Sequence, residues 1–189
     1  MDTKAQKVAL DQALALCDAL SADLERLGVR SAFATDCTSA GQILALHMAL
    51  TAEDLRTTAV AHVAGSQFAS LNPQGFDAAV ENARPLARAP DLAYGTAFPL
   101  EEIQRTTDSV SRILGPVGAG VRLETYIVGP GTFTLSCHIA RSKDAAFASH
   151  VALLTGLMLR DADPEGFAAA AASYRAEQPP HTRNSSPRG

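Results

Sequence analysis

One cysteine stands where a thiol could act as a nucleophile. Cys37, in the stretch ATDCTSAG, follows a segment of strand-like composition and precedes one with helical spacing. Backbone N–H groups at the start of a helix stabilise a thiolate, so Cys37 could attack a carbonyl carbon. Thr38 and Ser39 are ordinary N-cap residues, Asp36 adds a negative charge beside the thiol, and the spacing assigns no histidine partner. A structural cysteine is therefore the favoured interpretation.

Histidines are the other candidates, because imidazole nitrogens bind metals. His47 and His62 are fifteen residues apart, which on a continuous helix separates them by roughly 22 Å. A chain that turns back at Thr51 also leaves the two rings facing apart. His138 and His150 fall on different predicted elements, and His138 is predicted to point away from the face that helices cover. The sequence therefore predicts no metal site and no cofactor.

The segment VRLETYIVGPGTFTLSCHIAR predicts a β-hairpin, because apolar residues alternate on both sides of a Gly-Pro-Gly turn. A two-residue turn would oppose odd positions to even ones and mismatch the apolar faces. A three-residue loop, Gly129-Pro130-Gly131, matches them. It opposes Ile127 to Phe133, Leu123 to Cys137 and Val121 to Ile139.

The same register gathers polar side chains on the other face of the hairpin. Opposed Cβ atoms lie about 5 Å apart, so these residues could form a surface that binds a small molecule or a second subunit. A solvated sheet face is the ordinary alternative, since antiparallel sheets commonly have one. The opposed pairs are Arg122 with His138, Glu124 with Ser136, and Tyr126 with Thr134.

The remaining elements are mostly helical, which predicts an α+β fold whose small antiparallel sheet, including the 121–141 hairpin, is covered on one face by helices. Capping boxes at Thr3 and Thr51 begin two of the helices. Apolar spacing and turn residues set the other bounds. Helices are predicted at 3–27, 40–50, 51–71, 76–83, 100–114, 144–159 and 164–176, and strands at 29–36 and 93–98.

Length and composition predict one domain over residues 1–177. The chain has 189 residues, of which 47% are hydrophobic, enough for a single sizeable core. The last segment, 178–189, has no apolar residue to anchor it, and we expect a disordered tail. A net charge of −4 without a basic cluster argues against nucleic-acid binding.

The sequence also bears on the cellular compartment, through its N-terminal segment, its most apolar run and its cysteines. The start, MDTKAQKVAL, has no apolar signal-peptide core, and the apolar run 145–159 is too short to cross a membrane. Cys17, Cys37 and Cys137 are an odd number without a CxxC pair, which indicates free thiols. The sequence thus predicts a cytoplasmic protein that binds no membrane.

Two functions, with a weaker third, are compatible with these features. The first is a non-catalytic small-molecule-binding or regulatory module that forms a homodimer, favoured because no motif supplies a nucleophile, base and orienting group. The alternative is an acyl-transfer or thiol enzyme, with Cys37 as nucleophile and His138 or His47 as base. The third is an accessory protein that acts only within a larger complex.

Overall fold

The α+β class is confirmed by a computed structural model, which describes residues 3–38, 41–86, 98–129 and 132–177. Six α-helices and four strands occur in the described part of the chain. All strand pairs are antiparallel, in the order β1-β2-β4-β3. The elements are α1 (Thr3–Arg26), β1 (Arg30–Thr38), β2 (Gly41–Ala49), α2 (Ala52–Leu71), α3 (Pro73–Ala83), α4 (Leu100–Leu114), β3 (Gly120–Gly129), β4 (Thr132–Ala140), α5 (Lys143–Ala162) and α6 (Pro164–Glu177).

The predicted hairpin is formed by β3 and β4, and its register is confirmed. Ile127 lies opposite Phe133, and the same pairing continues to Gly120 opposite Ala140. The three-residue loop is wrong. The register shifts between Ile127 and Gly129, and this irregularity brings Gly129 into the ladder opposite Thr132.

The predicted helix at 40–50 is also wrong, because these residues include β2. β2 pairs with β1 on one side and with β4 on the other, and from Ile43 to Ala49 most of its side chains are buried. A central strand covered on both faces is apolar at successive positions, as in the run ILALHMA. Such a run lacks the alternation that distinguishes a strand from a buried helix.

The other helices agree with the capping signals. Thr51 accepts a hydrogen bond from the backbone N–H of Asp54, and Ser142 accepts one from Ala145, so each caps the helix that follows. Helices α4 and α6 also begin where predicted. Most of the predicted strand at 93–98, and the predicted tail at 178–189, lie outside the described residues.

Helices cover both faces of the sheet, whereas the sequence predicted cover on one. α1 and α4 pack on an apolar face that includes Leu46, Leu135 and Cys137. α2 and α5 pack on the opposite face, where the strands present His47 and His138. The second layer was missed because the polar composition of this face resembles that of a solvated surface.

The two layers arise from an internal repeat of an αββα unit. The pattern L-x-x-H-x-A occupies residues 44–49 and again 135–140, which is 91 positions later. The Val-Ala pair and the glycine that follow in α2 recur at the same offset in α5. Equivalent strands β2 and β4 pair at the centre of the sheet, so an approximate twofold axis passes where Leu46 lies opposite Cys137.

Two equivalent glycines allow α2 and α5 to pack closely. A Cβ atom on Gly65 would collide with the carbonyl oxygen of Ala152, and one on Gly156 would collide with that of Ala61. The repeat relates these two contacts to each other, because Gly65 corresponds to Gly156 and Ala61 to Ala152. The helical layer therefore depends on the absence of side chains at both positions.

Candidate functional site

Four of the five histidines meet between the sheet and the α2–α5 layer. His47 comes from β2, His138 from β4, His62 from α2 and His150 from α5. The first three are completely buried, and His150 is 7% exposed. Ring centroids of His47, His62 and His138 are 5.1 to 6.2 Å apart, so the imidazoles form one cluster.

Hydrogen bonds join the four rings through two serines and a tyrosine into what we call the histidine network. The distances between its polar atoms are those of ordinary or short hydrogen bonds. In order, they are Ser136 Oγ to His47 Nδ1 (2.6 Å), His47 Nε2 to His62 Nδ1 (3.2 Å), His62 Nε2 to Ser149 Oγ (3.1 Å), Ser149 Oγ to His138 Nδ1 (2.7 Å), His138 Nε2 to the Tyr126 hydroxyl (2.7 Å) and that hydroxyl to His150 Nδ1 (2.7 Å).

The network is satisfied when every ring is neutral. A neutral imidazole donates from one nitrogen and accepts at the other, while a hydroxyl does both. If Ser136 donates to His47, each following group donates to the next, and Tyr126 finally donates to His150. The reverse polarity satisfies the same six bonds. A protonated His47, His62 or His138 has two donors and no acceptor, so the bonds on its two sides must run in opposite directions and neither single polarity is kept.

Burial keeps the rings neutral, because desolvation disfavours the charged imidazolium. It lowers the pKa of both His62 and His150 from 6.5 to about 4. The pKa values of His47 and His138 also lie well below 6.5, again chiefly through burial, with a further contribution from neighbouring histidines. Burial raises the pKa of Tyr126 well above its usual value, so the phenol keeps its proton.

Charged groups border the histidine network along β3. The Arg122 Nε donates to Glu124 Oε1 at 3.0 Å, and the guanidinium lies 4.8 Å from the centre of the Phe147 ring. Burial raises the pKa of Glu124, while the hydrogen bond from Arg122 opposes this effect. The positive charge of Arg122 also helps to lower the pKa of His138 and His150.

The structure brings together the six residues predicted on the polar face of the hairpin. Their pairing is confirmed, Arg122 opposite His138, Glu124 opposite Ser136, and Tyr126 opposite Thr134. The predicted alternative of a solvated face is wrong, because all of them except the partly exposed Arg122 are buried beneath helices. A role in ligand binding remains a prediction for these six residues.

The predicted separation of His47 from His62 is wrong, and so is the outward orientation of His138. His47 lies on a strand rather than a helix, and α2 returns over that strand, which brings the two rings within hydrogen-bond distance. Among the described residues, however, no group of three or more histidine, cysteine or carboxylate side chains could hold a metal ion. The ring nitrogens instead face one another and hydroxyl groups.

Cys37 lies in β1, opposite Gln42, and not at the start of a helix. Ala34 and His138 both lie opposite Ala45, so two strand spacings separate them. Cys37 is three residues further along β1, which puts its Cα roughly 14 Å from that of His138. His47, opposite Ala32, is more distant along the strands. The Cα atoms of both predicted bases therefore lie far from that of Cys37.

The other two cysteines are buried free thiols. Burial raises the pKa of Cys17 to about 11 and that of Cys137 to about 12. Both therefore remain protonated near neutral pH and are poor nucleophiles. Neither Cys17 nor Cys137 is therefore an activated thiol of the kind that a thiol enzyme requires.

Comparisons with protein-family models, with curated proteins and with solved structures each found no match. The functional interpretation therefore rests on the geometry of the side chains. Within the described ranges, no helix combines the length and apolar character needed to cross a membrane.

Sequence reasoning missed His62, His150 and Ser149 as members of one network. The internal repeat is the signal that could have found part of it. His47 and His138 occupy equivalent positions, which places them symmetrically about the central strand pair. Thr58 and Ser149 are equivalent as well, and Thr58 donates to Thr134 at 3.1 Å beside the network. His62 and His150 are not equivalent, so spacing alone could not place them.

Proposed function

We propose that this protein is a non-catalytic regulatory module that responds to acidification by releasing the α2–α5 layer from the sheet. The observation that carries the proposal is the histidine network, which spans the boundary between layer and sheet. Protonation of any of its rings places a positive charge in a buried site, where desolvation disfavours it. Protonation therefore weakens the contact between the α2–α5 layer and the sheet.

The groups around the network favour the neutral state of the rings. Arg122 on β3 contributes a positive charge close to His138 and His150, and the buried carboxylate of Glu124 on the same strand is already hydrogen-bonded to this guanidinium. An added proton therefore has no unengaged carboxylate to pair with in this part of the described structure. The titratable or charged groups facing one another are His47 on β2, Arg122, Glu124 and Tyr126 on β3, His138 on β4, His62 on α2 and His150 on α5.

Burial supports a non-catalytic role. Ser149 accepts or donates toward two histidines and so resembles an activated nucleophile, yet its side chain is completely buried, as are His62 and His138. A catalytic nucleophile must reach a substrate atom at about 3 Å. The network has the hydrogen bonds of a proton relay and lacks the access that a substrate requires.

Release of the layer predicts a local change in hydrogen exchange. Between pH 7.5 and pH 5.0, after correction for the intrinsic exchange rate, peptides of α2 and α5 are expected to lose at least about tenfold protection relative to α1 and α4. The measurement is hydrogen–deuterium exchange read by peptide mass spectrometry. His181→Gln, which removes the one histidine that lies outside the described residues, serves as the control, and we expect it to behave like the wild type.

Two results of that experiment contradict the proposal. Equal loss of protection in all four helices would mean that acid unfolds the whole domain rather than releasing one layer. Unchanged protection of α2 and α5 at pH 5.0 would mean that the network does not control their docking.

Self-association is part of the same proposal. α5 exposes Leu154 and Met158, one helical turn apart, with 37% and 65% of their surfaces accessible. We expect a homodimer in sedimentation velocity, and Met158→Glu should weaken it by about tenfold because the carboxylate would be desolvated in the interface. Arg105→Gln on α4 is the matched surface control. A wild-type chain that remains monomeric at all concentrations contradicts this prediction.

A further inference from the structure

An apolar groove of about 360 Å³ lies on the opposite side of the sheet from the histidine network. The N-terminal half of α1 forms one wall, and the end of α4 with the turn that follows it forms another. Strands β1, β2 and β4 supply the floor. Its apolar lining includes Leu10, Leu14, Leu44, Val117 and Ile139.

The charge of the groove is of one sign. Lys7 and Arg141 lie at its border, and none of the described residues that line it is acidic. Neither cation forms an ion pair within the described part of the chain. Both side chains are exposed to solvent.

The groove also departs from the internal repeat. α1 has 24 residues, whereas the equivalent helix α4 has 15. The extra length carries α1 past the end of α4, where the Gln6 side chain reaches the Val117 carbonyl at 3.4 Å. Lys7 belongs to this extension, because the start of α4 at Leu100 corresponds to Ala9. Packing of two equivalent halves therefore does not by itself account for the groove.

We infer that the groove binds a free amphipathic carboxylate, whose alkyl chain lies on the apolar floor and whose head group pairs with Lys7 and Arg141. A groove of this size and lining suits a small ligand that is mostly apolar. Two exposed cations among the lining residues favour an anionic head group over a neutral or cationic one. The inference does not depend on the proposed function, because the histidine network lies beneath the other layer.

The test uses the full-length protein and decanoate in isothermal titration calorimetry at pH 7.5, where the histidine network is neutral. Decyltrimethylammonium, with the same alkyl chain and the opposite charge, is expected to bind at least about tenfold more weakly. Lys7→Gln and Arg141→Gln should each weaken decanoate binding by roughly fivefold. Arg105→Gln on α4, which also removes one exposed cation, should leave binding unchanged.

A groove-filling variant separates this site from nonspecific adsorption. Leu10 is 40% exposed at the border of the groove, so Leu10→Trp can fold while its larger ring occupies the space for the alkyl chain. We expect a loss of at least about tenfold in decanoate affinity. Circular dichroism of the unliganded variant checks that it is folded.

Several outcomes overturn the inference. Equal binding of the two amphiphiles removes the argument from charge, and wild-type affinity in Leu10→Trp places any ligand elsewhere. Binding to phosphatidylglycerol vesicles without binding of monomeric decanoate would identify a membrane surface, and not a free carboxylate, as the ligand. These binding results do not affect the hydrogen-exchange test of α2 and α5, which addresses the proposed function.

Discussion

Lowering the pH from 8 to 5 is expected to reduce the free energy of unfolding by roughly 4 kcal/mol through His62 and His150 alone, at about 2 kcal/mol each. Their pKa is about 4 in the folded protein and 6.5 in the unfolded chain. Between these values the unfolded chain binds more protons than the folded one. Stability is therefore fully present above pH 6.5 and falls as the pH drops toward 4.

The other ionisable groups of the site modify this effect in known directions. His47 and His138, whose pKa values are also lowered, add to the loss. Glu124 acts oppositely, because its raised pKa makes its contribution greatest at low pH and reduces it as the pH rises. The histidines outnumber this single carboxyl group, so the net change on acidification remains destabilising.

Urea denaturation at pH 8 and pH 5 measures the loss. His150→Gln should be less stable than the wild type at pH 8, since Tyr126 loses a partner, and its pH-dependent loss should be smaller by about 2 kcal/mol. His181→Gln should retain the full wild-type loss. A wild-type unfolding free energy that is equal at the two pH values would contradict the burial of neutral histidines.

Replacement of Gly156 by alanine is expected to destabilise the protein by about 3 kcal/mol. In an ordinary helix position the same change stabilises by up to about 1 kcal/mol, because alanine has the higher helix propensity. Here the new Cβ atom would meet the backbone carbonyl of Ala61, which cannot rotate away as a side chain can. The two helices must move apart, and every contact between them weakens.

The internal repeat provides a second glycine at which the same substitution can be tested, and a glycine at the end of α4 serves for comparison. Gly65→Ala should cause a similar loss, because its Cβ atom would meet the carbonyl of Ala152 in the equivalent contact. Gly115→Ala is the comparison, since no atom outside the adjoining residues lies within 4 Å of its Cβ position; Pro116 disfavours alanine in this αR conformation, so we expect a small loss that is below that of Gly156→Ala. Thermal unfolding of the three variants tests this order. A Gly156→Ala protein as stable as Gly115→Ala would show that α2 and α5 do not pack closely.

The part of the structure predictable from sequence is the part with a local and periodic signal. The β3–β4 register followed from matching apolar faces, such as Leu123 with Cys137. Thr51 marked a helix start because its side chain accepts from a backbone N–H three residues later. These features depend on neighbours in the chain or on one hairpin, so a pattern of spacing determines them.

The candidate site had no such signal. His47 and Ser136 meet across a non-local strand pair, and His62 reaches them only because α2 packs back on the sheet. The helices α2 and α5 bury small residues around most of their circumference, so their sequences do not mark which side faces the sheet. The polar residues of β4 are predicted on the uncovered face of the sheet, as a binding surface or a solvated face, because nothing local indicates the polar partners that cover them.

Because the two helical layers differ chemically, they also favour one register between β2 and β4 when the halves pair during folding. A slip of one residue between β2 and β4 would turn His47 or His138 toward the apolar α1–α4 layer and an apolar neighbour toward the histidines. Each polar group buried without a partner costs about 1–3 kcal/mol, so misaligned halves are strongly disfavoured. The same imidazoles that confer acid sensitivity thus disfavour a shifted register between β2 and β4 when the two halves assemble.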